Sequence, residues 1–254
     1  MREILLKIFS ENNTGLEITL FSIWHILYIL IIVTSAICAG AYLVKKSKET
    51  QNRVLDVIAC LIPMLYVLDF FLMPLARSSH DIDIDKLPFH LCTLMGVLIP
   101  FTRFNKKFEK IKTPVTCLGL VGAIMYITYP GSAVGGVSPF CYRVVQTFLY
   151  HGLLIVYGYL NIATDSIELD FKKIYKELCI ILGLVVWASL GTSIYSNELH
   201  HYDWFFVTGS TFPFVPKWLM PFAVIAAVFA MCAIIYYLNI LVRKTILNIK
   251  KSKV

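Results

Sequence analysis

The chain has 254 residues, of which 58% are hydrophobic and only 15% charged. Soluble domains carry about 25% charged residues, so a soluble globular fold is excluded. The net charge of +7 is broken into short blocks between apolar runs, the pattern of loops between membrane spans, which argues against a nucleic-acid partner.

The apolar runs are roughly 18 to 27 residues long, enough to cross a ~30 Å hydrocarbon layer at 1.5 Å per residue. They predict an all-α, polytopic membrane protein, with residues 1–254 forming a single transmembrane domain. Residues 1–15 come first. Ile4, Leu5, Ile8 and Phe9 share one helical face there, with Arg2, Glu3 and Lys7 elsewhere, as suits a short helix lying on the outer membrane surface. The first span is predicted over about 18–44 and carries Trp24 and His25. It ends in Ser35-Ala36-Ile37-Cys38 and beyond; Ile before the cysteine argues against lipoprotein cleavage, so the segment reads as a retained helix.

The basic cluster Lys45, Lys46, Lys48 and Arg53 follows. The second span, about 54–75, contains Pro63 as a kink and Asp69 in its second half. A polar loop over 77–86 leads to the third span, 88–104, which Pro88 opens at the first helical position, where its missing N–H costs nothing. Five basic residues lie between 103 and 112. The fourth span, about 113–129, is closed by Pro130-Gly131, and a loop rich in glycine, serine and valine follows. That loop has no phosphate-cradle spacing and reads as a flexible entrance or a lipid-headgroup loop. The fifth span, about 141–163, carries Arg143, Gln146, Tyr150 and His151. The sixth covers about 175–195, a long loop holds His200, His201, Asp203 and Trp204, and the seventh covers about 216–241 before a basic tail, 242–254.

Seven spans place alternate loops on the same side. One side then receives 17 of the 23 Lys and Arg, which puts the N-terminus outside and the C-terminus in the cytoplasm. With that topology the ionisable residues inside the spans fall in the outer half: His25, Asp69, His90, Cys92, Arg143 and His151, with Gln146 among them. Asp56 is the main exception. An intramembrane histidine such as His151 has to be solvated or paired, and together these residues predict a polar cavity open to the outer leaflet.

Leu87-Pro-Phe-His-Leu-Cys-Thr-Leu-Met-Gly96 is the stretch with the most chemistry. A thiol becomes a nucleophile beside a base, histidine is the usual base, and a carboxylate can orient that histidine. Cys92, His151 and Asp69 fit those three roles if the second, third and fifth spans are neighbours. Thr93, Tyr126 and Tyr129 are candidate donors to an oxyanion. His90 stands about 200° round a helix from Cys92, which assigns it to substrate or to the cavity mouth rather than to the thiol. The seven cysteines include no CxxC pair and imply no disulfide framework. His90, Cys92, His151 and Asp69, or His200, His201 and Asp203, lack the spacing of a specific metal motif, so no metal and no cofactor is assigned.

Leu-Pro-Phe-His-Leu-Cys, with Tyr-His-Gly-Leu-Leu some sixty residues later and Pro216-Lys-Trp218 at the last span, resembles the YwaF-like bacterial integral membrane proteins, which are similar to the eukaryotic transmembrane protein 164 acyltransferases. Lys217 interrupts the family's Pro-Trp pair. The resemblance implies a multi-helix membrane acyltransferase in which Cys92 carries the acyl group and His151 matches the family histidine. More distantly it is similar to the androgen-induced intramembrane hydrolases, which use a threonine and a histidine.

The expected function is therefore an intramembrane acyltransferase or acyl hydrolase acting on outer-leaflet lipid, with a membrane lipid as substrate and a lysolipid, a lipoprotein amine or water as acceptor. The content of Lys, Ile, Asn and Tyr points to a low-GC bacterium and hence to a bacterial plasma membrane. The rival expectation is a non-enzymatic seven-helix ligand-binding protein or small-molecule transporter, with Asp69, His151 and Arg143 as coupling residues.

Overall fold

In hydrocarbon no water is present to satisfy backbone N–H and C=O groups, so an apolar run closes its own hydrogen bonds as a helix. The computed structural model describes residues 16–77, 84–131, 133–197, 201–206 and 215–251, with side chains described outside 73–77 and 246–251. The interfacial helix expected over 1–15, His200 and the last residues of the basic tail lie outside this set. The described residues are all-α. They form α1 (Ile23–Leu43), α2 (Lys48–Arg77), α3 (Leu91–Phe104), α4 (Lys112–Thr128), α5 (Tyr142–Ala163), α6 (Tyr175–Tyr195) and α7 (Met220–Lys251), with short 3₁₀ turns in the connections before α3, α4, α6 and α7. Five of them, α1, α2, α4, α6 and α7, are long and apolar enough to cross a membrane. α3 has 14 residues. α5 has 22 residues but carries Arg143, Gln146, His151 and Asn161.

Several helix starts differ from the sequence expectation. α1 begins at Ile23 rather than near Ile18, because Ser22 caps it, its side chain accepting from the His25 N–H. Ile18 instead pairs with Val137: its N–H donates to the Val137 carbonyl at 3.0 Å, and Gly135 N–H donates to the Ile18 carbonyl at 3.2 Å. Gly135 and Gly136 in that loop have φ of 141° and 83°, backbone that glycine adopts without strain. α3 begins at Leu91, not Pro88. In a helix from Pro88 the proline carbonyl would accept from Cys92; here it accepts from the Trp187 indole N–H at 2.8 Å, while Phe89 N–H turns back to Leu87 at 2.7 Å. α2 starts earlier than expected, at Lys48, with the Thr50 N–H donating to the Ser47 hydroxyl.

α4 and α5 form the centre. α5 packs against α1, α2 and α4, α3 lies between α2 and α4, and α6 and α7 pack on the remaining side of α4. Every residue from Pro114 to Ala123 is buried. The outer helices turn Leu30, Ile31, Val57, Met64, Val186, Leu190 and Phe222 outward, an apolar exterior that suits lipid rather than water.

The two ends of the bundle differ. At one, Arg103 pairs with Asp56 at 2.6 Å, Lys112 donates to the Ser166 carbonyl at 3.0 Å and Arg243 pairs with Asp165. At the other, the start of α1 meets the end of α4, with His25 on the Ile127 carbonyl, and α3 opens beneath the aromatic residues of α6. The candidate residues gather at this second end.

Candidate functional site

Cys92 is the second residue of α3 and is buried. Because α3 starts at Leu91, the thiol lies in the first helical turn. No side chain caps this helix start, and the first N–H groups of any helix have no acceptor within it. The Cys92 sulfur rests over Gly122 of α4, where a Cβ would come within 3.0 Å of Sγ and 2.9 Å of the Leu91 side chain.

His151 is buried on α5. Its Nδ1 lies 2.8 Å from the Thr147 carbonyl. A carbonyl only accepts, so Nδ1 carries the proton, and in the neutral ring Nε2 keeps a lone pair. The imidazole lies flat on Tyr126 of α4, with centroids 3.9 Å apart and planes 7° apart, and meets Tyr150 edge-on at 5.3 Å. Gly122 and Tyr126 are four residues apart on α4, one turn or ~6 Å. The thiol and the imidazole are therefore borne by one face of one helix, with no hydrogen bond joining them.

Tyr150 completes this arrangement. Its hydroxyl donates to the Cys92 carbonyl at 3.0 Å. Gly96, one turn along α3, makes room for it: a Cβ on Gly96 would overlap the Tyr150 hydroxyl. Sequence reasoning singled out neither Tyr150 nor the two glycines as site residues. The available signals were the adjacency of Tyr150 to His151 and bare residues at helical spacing inside apolar runs, the usual mark of close helix approach.

α2, α3 and α5 are neighbours, as the triad reading required, but Asp69 does not bond His151. It is 2% exposed and pairs with Lys86, since a buried carboxylate needs a counter-charge and the turn at Ile84–Lys86 supplies one. The Thr147 carbonyl orients the histidine instead. Lys86 was not among the expected residues.

His90 is the residue before α3, outside the helix, so the 200° argument no longer applies to it. Its Nδ1 accepts the Phe205 N–H at 3.4 Å. Phe205 has φ of 56°, a strained conformation for a residue with a side chain. Beside it the buried Trp204 stacks on Tyr202 at 5.0 Å and packs on Phe89 at 4.7 Å, and Phe89 stacks on Trp187 at 4.9 Å. An aromatic cover thus closes over the start of α3. Thr93 donates back to the His90 carbonyl at 3.0 Å. Gln146 is buried and Arg143 half-buried near the start of α5.

Two expected residues stand apart. His25 is fully buried at the seam of α1 and α4, Nδ1 accepting from the Phe21 N–H at 3.0 Å and Nε2 donating to the Ile127 carbonyl at 2.7 Å. Both ring nitrogens are consumed, Nδ1 in the turn that leads into α1 and Nε2 in tying α1 to α4. Tyr129, the residue after α4, is 68% exposed.

A thiol in a helix's first turn, an imidazole with a defined basic nitrogen and an uncapped row of N–H groups are the parts that nucleophilic acyl chemistry uses. No curated protein and no solved structure matches the chain. The model of the TMEM164 family matches residues 20–243, from before α1 into α7 and across Cys92 and His151. The chain belongs to the TMEM164 family.

Proposed function

We propose that this protein is an intramembrane acyltransferase or acyl hydrolase that uses Cys92 as nucleophile and His151 as base on a membrane lipid. The observation that carries the reading is the shared seat of the two residues on α4, with His151 Nε2 left basic by the Nδ1–H bond to Thr147. The family resemblance of the sequence supports the same pair.

In this mechanism His151 takes the thiol proton as sulfur attacks the ester carbonyl of the lipid. Negative charge collects on the carbonyl oxygen, and the uncapped N–H groups at the start of α3 meet it, helped by the helix dipole. Collapse breaks the ester bond. The lysolipid alkoxide takes the proton from His151 and leaves an acyl thioester on Cys92. An acceptor hydroxyl, a lipoprotein amine or water then gives its proton to His151, attacks the thioester and releases the thiol. Tyr126 and Tyr150 hold the imidazole in place.

The same reading takes all seven helices through the bilayer, with the N-terminus outside and the site in the extracytoplasmic leaflet of a bacterial plasma membrane. α3 is only about 21 Å long at 1.5 Å per residue, and α5 is polar for a span. Both are tolerable because neighbouring helices flank them on several sides.

The test uses purified full-length protein in lipid nanodiscs with a phospholipid donor and a labelled lysolipid. Cys92→Ala is expected to abolish transfer and His151→Gln to reduce it about 10²–10⁴-fold, the usual contribution of a general base. Full activity of Cys92→Ala on every lipid tried would overturn the mechanism. Solute uptake that survives loss of Cys92 but not of Asp69 would replace it with transport.

A further inference from the structure

The Asp69–Lys86 pair lies at the same end of the bundle as the thiol and is not used by the chemistry described above. Tyr66 and Asp69 are three residues apart on α2, on one face, and both grip Lys86. The Tyr66 hydroxyl donates to the Lys86 carbonyl, and the Lys86 ammonium donates to Asp69 Oδ2. Backbone and side chain of this one lysine are thus both fixed by the same helix.

The pair is asymmetric. The Lys86 side chain is 25% exposed and that of Asp69 3%. Asp69 Oδ1 takes no bond from Lys86, and the Tyr142 hydroxyl at the start of α5 faces the same carboxylate. Here the carboxylate is sacrificed to the interior and the cation is left reachable. An ammonium has three donors, and Asp69 takes one.

Lys86 also connects to the thiol. The Tyr66 ring lies 6.2 Å from that of Tyr150, and the Tyr150 hydroxyl holds the Cys92 carbonyl. Ammonium, tyrosine pair and thiol form a series running along α2, α5 and α3. A lipid whose ester carbonyl meets Cys92 carries its next polar group a few bonds away, on the water side of the ester. On a glycerophospholipid that group is a phosphodiester.

We propose that Lys86, held by Tyr66 and Asp69, is the docking cation for the phosphate of the lipid substrate. This rests on the acyl-transfer reading for its geometry, but its test is a binding measurement that needs no turnover. A phosphate group recognised here has two sources, the lipid headgroup and free phosphate esters, and the experiment separates them.

Full-length Cys92→Ala protein is purified in detergent, and retention of phosphatidylglycerol and of diacylglycerol with the same chains is measured by native mass spectrometry, alone and with glycerol 3-phosphate as competitor. Lys86→Gln is expected to lower phosphatidylglycerol retention about tenfold and leave diacylglycerol unchanged, with Lys86→Arg close to the parent. Asp69→Asn removes the competing carboxylate and is expected to keep or raise phosphatidylglycerol retention. Competition by glycerol 3-phosphate as strong as by the lipid would assign the site to soluble phosphate esters and overturn lipid docking. Unchanged phosphatidylglycerol retention in Lys86→Gln, or a parallel loss of both lipids in Lys86→Gln and Asp69→Asn, would make the pair purely structural. A failed Cys92 mechanism shows differently, as transfer that persists in Cys92→Ala while the Lys86 dependence of binding stands.

Discussion

The sulfur of Cys92 and the imidazole of His151 rest on one face of α4, the first over Gly122 and the second against Tyr126. α4 is the most enclosed of the long apolar helices, so the two groups are seated on the buried centre of the fold rather than bonded to each other. The absence of a direct hydrogen bond between them is compatible with catalysis, because such bonds are often made only with substrate in place.

Gly122 is the position at which this relationship is most easily disturbed. Gly122→Ala would place a methyl group 2.9–3.0 Å from Leu91 and the sulfur, and the sulfur has to yield. A misplacement of 1 Å costs about 10²-fold in rate, so a smaller shift is expected to cost about tenfold with little change in thermal midpoint. Gly122→Val adds overpacking of about 1–3 kcal/mol and should lower both. Acyl-transfer rates and thermal unfolding of the two variants check this; equal rates in parent and Gly122→Ala would separate the sulfur from the reaction.

Tyr150 and Gly96 form a coupled pair. Tyr150→Phe keeps the ring and loses the bond to the Cys92 carbonyl; hydrogen bonds between membrane helices average about 0.6 kcal/mol, so a small loss is expected. Gly96→Ala drives a Cβ into the Tyr150 hydroxyl and should cost about 1–3 kcal/mol as overpacking. Adding Tyr150→Phe to Gly96→Ala removes the atom in conflict and should recover part of that cost. A double-mutant cycle on thermal or denaturant unfolding reads the coupling, and strictly additive effects would contradict the contact.

Hydropathy alone was enough to find seven helices, because an apolar run in lipid has few conformations open to it. It misjudged where helices start, because starts depend on single bonds from afar: Trp187 takes the Pro88 carbonyl, and Val137 takes Ile18 out of α1. At the site, Cys92 and His151 were visible as reactive groups in apolar surroundings. Their common seat was not, since Gly122 shows in sequence as one small residue among many. Asp69 was visible as a buried carboxylate, but a carboxylate goes to the nearest cation, and the one that reaches it comes from a loop lysine seventeen residues on. His25 looked like a cavity residue because a histidine in an apolar run invites that reading. Its two bonds to backbone groups, at Phe21 and Ile127, became legible only from the fold.

That placement of His25 separates stability from chemistry. His25→Phe strands the Ile127 carbonyl in the interior, worth about 1–3 kcal/mol when left unpaired, and also loses the part-buried bond from the Phe21 N–H. The variant is expected to have a clearly lower thermal midpoint and, below that midpoint, a turnover number per folded molecule equal to that of the parent. A turnover number reduced as far as that of His151→Gln would return His25 to the site.

The orientation of the bundle is open to direct measurement. Lys110 lies in the turn before α4, at the end that carries Arg103, Lys112 and Arg243, and Phe140 is 58% exposed at the opposite end, before α5. Basic loops stay on the cytoplasmic side, so the two positions should differ in access from outside. Cys38, Cys60 and Cys179 are exposed on the helix surfaces and are first changed to serine. Phe140→Cys is then expected to react with a membrane-impermeant maleimide on intact cells, and Lys110→Cys only after the membrane is permeabilised. The reverse pattern would turn the bundle over and move Cys92 and His151 to the cytoplasmic leaflet, where donor and acceptor lipids would have to be sought instead. Labelling of both positions from outside would mean that the chain does not alternate across the bilayer as seven spans require.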